Sequence, residues 1–320
     1  MLRSTLIYLS KANWARRTVM GWSVAKRAAS RFIAGETLSD AVRVVQELNQ
    51  QGINATMDHL GEHTTTADIA RRATADILEI LDGIQVSGVR SNVSIKLTQI
   101  GMALDEGLCA QNLEQIVRRA RDTGSFVRVD MEDSPWVDAT LKLCRMMRAE
   151  KGLENIGVVI QSYLYRSDGD VRQLTQLGVP IRLCKGAYKE PEEIAYPKKA
   201  DVDASYDHLA AVLIDGSLAL GCPPLSVNGI IPPLVALATH DERRIEAAKA
   251  YAQKANLPKN AMEFQMLHGI RRDLQAKLAA EGYPVRVYVP FGTEWYPYFT
   301  RRLAERPANL WFFISNFFRK

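Results

Sequence analysis

The chain has 320 residues, 47% hydrophobic and 24% charged, so a large packed core is within reach and global disorder is excluded. The net charge of +5 and pI near 9.0 are a mild basic excess without a long Lys/Arg block, which gives no support to nucleic-acid binding. The four cysteines, Cys109, Cys144, Cys184 and Cys222, form no C-x-x-C pair, and their wide spacing in a large chain favours reduced thiols and a cytoplasmic protein.

Residues 1–17, MLRSTLIYLSKANWARR, hold only a short apolar run, broken by Ser4 and Thr5, with no signal-peptide cleavage pattern after it. No stretch reaches the roughly 18 apolar residues of a spanning helix. Residues 1–50 read as an N-terminal helical segment. Leu38, Ala41, Val44, Val45 and Leu48 follow an i, i+3, i+4 rhythm, with Thr37 and Ser39 as candidate caps.

From residue 51 to 309, short β-like runs alternate with amphipathic stretches. Strands are expected at Asn54–Asp58, Asn92–Leu97, Phe126–Asp130, Ile156–Gln161, Ile181–Lys185, Leu234–Ala238, Met262–Gln265 and Val285–Val289. Helices are expected at Ala67–Leu81, Asn112–Arg121, Trp136–Glu150, Asp170–Leu177, Ala204–Leu218, Glu242–Ala255 and Gly269–Ala280, while Gly221–Pro233 reads as loop. Alternation implies a parallel α/β sheet, and eight units are the count that closes a (βα)8 TIM barrel; an open doubly wound sheet fits the same alternation. Asp58, Lys96, Asp130, Gln161, Lys185, His240 and Gln265 fall at or just beyond C-terminal strand ends, the face on which barrels build active sites.

Several short motifs carry competing readings. His59-Leu60-Gly61-Glu62-His63 matches H-x-x-E-H, but the motif directly follows a strand and Gly61 interrupts it; no metal site is expected. Thr64–Thr66 look like the approach to the next N-cap. No G-x-G-x-x-G and no P-loop is present, so a cofactor would be held by βα loops and helix N-termini. In Arg182-Leu183-Cys184-Lys185-Gly186-Ala187-Tyr188, alternation puts Arg182 and Cys184 on one side and Leu183 and Lys185 on the other; an anionic planar cofactor and an ordinary strand exit both fit. Tyr298, Arg301, Arg302 and Glu305 share a helical face, which suits either a carboxylate receptor or a solvated Arg pair. The tail 310–320 is aromatic and ends basic; it reads as packing on the protein, with a membrane surface or a partner subunit as other docking places.

Taken together, six strings resemble the proline dehydrogenase family in its monofunctional bacterial form. They are Asp58-His59-Leu60-Gly61-Glu62, Val127-Arg128-Val129-Asp130-Met131-Glu132, the Arg182–Tyr188 segment, Ala238-Thr239-His240-Asp241, Glu263-Phe264-Gln265-Met266-Leu267-His268-Gly269, and Trp295-Tyr296-Pro297-Tyr298 running into Arg301-Arg302. The resemblance spans roughly Asn54 to Asn309. It implies a distorted (βα)8 barrel with a C-terminal helix over its mouth, non-covalent FAD, oxidation of L-proline to Δ1-pyrroline-5-carboxylate, and transfer of electrons to a membrane quinone. It further implies that Lys96, Arg301 and Arg302 hold the substrate carboxylate, that Tyr188, Leu267, Tyr288 and Tyr298 line the ring, and that Glu62 gates the site by pairing with Arg301. Asp130 and Arg182 would be the catalytic pair, with Arg182 at the flavin N5. Met131, Gln161, Lys185, Gly186, Ala187, Thr239, His240 and Gln265 would complete the cofactor site. Tyr288 favours proline over hydroxyproline, whose oxidising relatives carry a smaller residue there. Dehydrogenation of another cyclic imino acid, or a non-catalytic binding barrel, are the rival functions. A peripheral membrane contact and a homo-oligomer are both compatible with the sequence.

Overall fold

The computed structural model describes residues 29–61 and 64–305. Eight parallel strands close into one barrel in sequence order: β1 (Asn54–His59), β2 (Ser91–Ile95), β3 (Val127–Val129), β4 (Ile156–Gln161), β5 (Ile181–Cys184), β6 (Val235–Ala238), β7 (Met262–Leu267) and β8 (Val285–Phe291). Closure comes from pairing of β1 with β8, Asn54 opposite Arg286 through His59 opposite Phe291. The open doubly wound sheet is therefore ruled out, and the expected (βα)8 barrel stands.

The helices are α1 (Leu38–Gln50), α2 (Ala67–Ser87), α3 (Glu106–Asp122), α4 (Val137–Ala149), α5 (Ser167–Gln176), α6 (Lys199–Ala219), α7 (Glu242–Lys254), α8 (Arg272–Ala280) and α9 (Trp295–Glu305). Local chemistry explains their ends. Thr37 caps α1 in a reciprocal box with Asp40, and Ala41, Val44, Val45 and Leu48 form its buried stripe. Thr66 caps α2 by accepting from the Ile69 N–H, and Gly88 ends it in the left-handed region at φ 64°. α3 begins six residues earlier than the apolar rhythm suggests, at Glu106 rather than Asn112, because Asp105 accepts from the Leu108 N–H at 2.6 Å. α6 begins at Lys199 rather than Ala204, where Lys199 pairs with Asp203 one turn on.

Outward-facing strand residues such as Val127, Val129, Val158, Ile160, Ile181 and Leu183 are buried under the helices in the main apolar core. α1 packs on β1 and β8, in the outer ring. α9 instead joins a second apolar cluster with Ala29, Phe32, Ile33, Leu60 and Ile270. A strap of residues 29–36 runs past β8 into this cluster. The Ala34 N–H donates to the Pro290 carbonyl (2.9 Å), the Gly292 N–H to the Gly35 carbonyl (3.0 Å), and Trp295 Nε1 to Glu36 Oε1 (3.1 Å).

The interior of the barrel is polar, not aliphatic. At its N-terminal end the expected loop Gly221–Pro233 forms a plug. The Gly229 carbonyl accepts from Arg286 Nη2 (2.9 Å), and the Ile230 carbonyl accepts from Asn92 Nδ2 (2.8 Å). Gly229 sits at φ 73° with Asn54 Oδ1 only 2.5 Å from where a Cβ would stand, so only glycine fits.

Candidate active site

Asp130, the residue after β3, is the centre of the site at the C-terminal end of the barrel. Its Oδ1 accepts from Arg182 Nη1 (2.7 Å) and Ser94 Oγ (2.7 Å), and its Oδ2 from the Tyr288 hydroxyl (2.7 Å). Lys96 Nζ lies 3.9 Å from Oδ2 and donates to both oxygens of Asp58, at 3.2 and 3.3 Å. Five strands thus converge: β1, β5 and β8 lend Asp58, Arg182 and Tyr288, β2 lends Ser94 and leads into Lys96, and β3 leads into Asp130. The strand period of two explains the convergence, since Asp58, Ser94, Arg182 and Tyr288 all occupy inward positions.

Arg182 is 6% exposed, with its Nε and Nη1 both engaged. Nη1 also donates to Ser94 Oγ (3.0 Å), Nε donates to Gln265 Oε1 on β7, and the guanidinium stands 5.3 Å from the Tyr288 ring centroid. Burial, and then the negative charges of Asp130 and Asp58, hold the Tyr288 hydroxyl well above its usual range. It is therefore a proton donor in these hydrogen bonds. Burial also pushes the Cys184 thiol up to about 12, so it is not a ready nucleophile.

Gln161 closes the site beside β3. Its Nε2 donates to the Met131 carbonyl (3.1 Å) and the Glu132 carbonyl (3.2 Å), which accept only, so the amide orientation is settled. Its Oε1 is buried and has no hydrogen-bond partner. A buried, unsatisfied acceptor is costly unless a ligand donor meets it. His240 accepts from the Leu267 N–H through Nε2 at 3.0 Å, which places its proton on Nδ1. The Thr239 hydroxyl accepts from the Asp241 N–H at 3.1 Å. Lys185 is held by Asp203 (2.5 Å) and Asp241 (2.7 Å). Gly186, at φ 115°, is packed so closely on Tyr163 that a Cβ would lie 2.5 Å from the ring.

The model of the family described as proline dehydrogenase matches residues 41–314. The chain belongs to the proline dehydrogenase family. It is 42% identical to the proline dehydrogenase of Deinococcus radiodurans over 290 residues, covering 90% of this chain and 89% of that one. It is 35% identical to proline dehydrogenase 2 of Bacillus subtilis, over 99% of each. Among solved structures it is similar, with a TM-score of 0.78 and 28% identity, to proline utilization A from Bdellovibrio bacteriovorus inactivated by N-propargylglycine; that match covers 88% of this chain and 33% of the longer protein.

Of the residues expected from sequence, Lys96, Asp130, Arg182, Gln265 and Tyr288 form one connected cluster. Tyr298 is buried on α9, with the Arg302 guanidinium 5.2 Å from its ring centroid, and Arg301 and Arg302 are half-buried. Ala187 and Tyr188 lie exposed on the loop after β5. Glu62, His63 and the tail 310–320 lie outside the described residues. His59 ends β1 and Leu60 and Gly61 follow outside any helix, which is not the helical frame a zinc motif needs. Three residues went unread: Ser94, which bonds both members of the Asp130–Arg182 pair, and the buried ion pair Glu263–Arg286. The latter had a visible signal, a charged residue at an inward position of an otherwise apolar strand.

Proposed function

We propose that the protein is an FAD-dependent dehydrogenase that oxidises L-proline to Δ1-pyrroline-5-carboxylate at the C-terminal end of the barrel. The observation that carries this reading is the Asp130–Arg182–Tyr288–Lys96 cluster in a member of the proline dehydrogenase family. The relatives from Deinococcus radiodurans and Bacillus subtilis bear that name over nearly their whole length.

The residues present suit a flavin. Gln161 Oε1 offers an unmet acceptor to a ring N–H, Arg182 is the buried cation that would face the redox-active edge, and Met131 would border the ring. Lys185, Gly186, Ala187, Thr239 and His240 would hold the ribityl and phosphate portion. Lys185 would then trade part of its pairing with Asp203 and Asp241 for a phosphate. When bound, FAD supplies a two-electron acceptor for the hydride that leaves the carbon beside the substrate nitrogen.

The chain's own side chains do the rest. In the set Lys96, Arg182, Arg301, Arg302, Asp58 and Asp130, cations outnumber carboxylates, which favours an anionic ligand. Arg301, Arg302 and Lys96 would grip the proline carboxylate and fix the ring's orientation, the proximity contribution to rate. Leu267, Tyr288, Tyr298 and Tyr188 would close over the ring and exclude water. Asp130 already accepts from three donors, so its part is to hold Arg182, Lys96 and Tyr288 in place. The amine must be neutral when the hydride departs, and its proton is assigned to solvent. Electrons would pass on to a quinone at a membrane surface, with Glu62 gating the site through Arg301. Among the described residues no helix is long and apolar enough to cross a membrane.

The test is turnover with L-proline and a soluble quinone. A proline-dependent reduction of quinone, with a product two hydrogens lighter than proline, is expected; no such product refutes the assignment.

A further inference from the structure

We propose that Glu263 is a positioning residue for the reaction, acting through Gln265 to set the orientation of the Arg182 guanidinium. The inference rests on the reading of Arg182 as the cation that faces the flavin.

Glu263 is 0% exposed, on the inward face of β7 two residues before Gln265. Its carboxylate takes both Oε atoms to Arg286 Nε, at 3.0 and 3.2 Å, and Oε1 also accepts from Gln265 Nε2. The other ends of Arg286 are spent on the Ala55 carbonyl (2.8 Å) and the Gly229 carbonyl of the floor plug (2.9 Å). A carboxylate only accepts, so it admits one orientation of the Gln265 amide, NH2 towards Glu263. The carbonyl end must then face Arg182, and Gln265 Oε1 indeed accepts from Arg182 Nε. With Nε held, the planar guanidinium has one rotation left that serves its other partners, and Nη1 meets Asp130 Oδ1 (2.7 Å) and Ser94 Oγ (3.0 Å).

Without the carboxylate, the NH2 end of Gln265 loses its fixed acceptor, and the amide can swing out of line with Arg182 Nε. The guanidinium would then shift away from the acceptor edge. An ion pair kept for stability alone explains the contact of Glu263 with Arg286 but not the donor that Gln265 presents to it. That difference makes the two roles separable.

The test uses the full-length, FAD-loaded chain with the double substitution E263M/R286M. Removing both charges together leaves neither member of the Glu263–Arg286 pair as a lone buried ion, and such apolar replacements are commonly tolerated. The inference predicts a kcat lower by roughly ten- to a hundredfold, as for a misaligned reacting group. The KM for proline should stay within about twofold, because the substrate carboxylate is gripped elsewhere. The midpoint potential of bound FAD should fall, since a displaced cation stabilises the reduced state less. Should the double variant fail to fold, Glu263→Gln is measured for the same three quantities. Wild-type kcat and potential in the folded variant overturn the inference alone. A wild-type protein without flavin sinks the FAD reading, and this inference with it.

Discussion

The Tyr288 hydroxyl donates to Asp130 Oδ2 at 2.7 Å, joining β8 to β3 across the mouth of the barrel. The same ring lies 5.3 Å from the Arg182 guanidinium, so one tyrosine braces both members of the central ion pair. Tyr288→Phe keeps the ring and loses the bond. A hydrogen bond to a charged group contributes about 1.5–3 kcal/mol, so kcat/KM for proline should fall about ten- to a hundredfold. Tyr288→Ser should also lower the ratio of kcat/KM for proline over 4-hydroxyproline, by opening space at the ring. An unchanged ratio would refute a specificity role.

Arg301→Ala and Arg302→Ala each remove one arm of the proposed carboxylate grip on α9. Each should raise KM for proline by about ten- to a hundredfold, the worth of a charge-assisted pair, with a smaller change in kcat. Steady-state kinetics that match wild type in both variants would refute the grip.

Gly157 and Gly169 give opposite expectations for stability. A Cβ at Gly157 would stand 2.3 Å from the Pro180 carbonyl oxygen and 2.7 Å from Arg128 Nη1, inside the barrel. Gly157→Ala should cost about 1–3 kcal/mol through overpacking. A Cβ at Gly169, exposed in α5, meets nothing within 4 Å. Gly169→Ala should therefore stabilise, by up to about 1 kcal/mol. Denaturant midpoints moving the same way in both variants would contradict the packing described here.

His268 follows β7, and its N–H donates to the Tyr288 carbonyl at 2.9 Å. Burial, and then the nearby charge of Arg272, depress its pKa from 6.5 to about 4. The unfolded chain binds the proton that the folded chain refuses, so stability falls with pH between 6.5 and about 4 and levels off below. The shift corresponds to stability on the order of 3 kcal/mol. His268→Gln should flatten this part of the stability curve; a slope equal to wild type would refute it.

Much of this architecture was legible in the chain because the relevant signals are local. Each expected strand is present, and β4 has the expected bounds, Ile156–Gln161. Ends were less legible where a cap, not the apolar rhythm, decides them, as Asp105 does for α3. β7 and β8 run on to Leu267 and Phe291, past Gln265 and Val289, because their neighbours in the closed barrel offer partners to the end. Asp130 and Arg182 stand in the motifs quoted above, and Tyr288 was brought forward by the family resemblance alone. Ser94 was not legible, since its importance lies in contacts between strands far apart in sequence, and Glu263 showed only a charge at an inward position, not the partners it meets there. Lys185 shows the converse, a residue expected at a phosphate that two aspartates also claim.

Flavin-dependent oxidation of proline is tested most directly by the visible absorption spectrum of the purified protein, recorded without oxygen before and after L-proline is added. A yellow flavin spectrum that bleaches with substrate is expected. Folded protein that is colourless and takes up no added FAD, or a flavin band that proline leaves untouched, would contradict it.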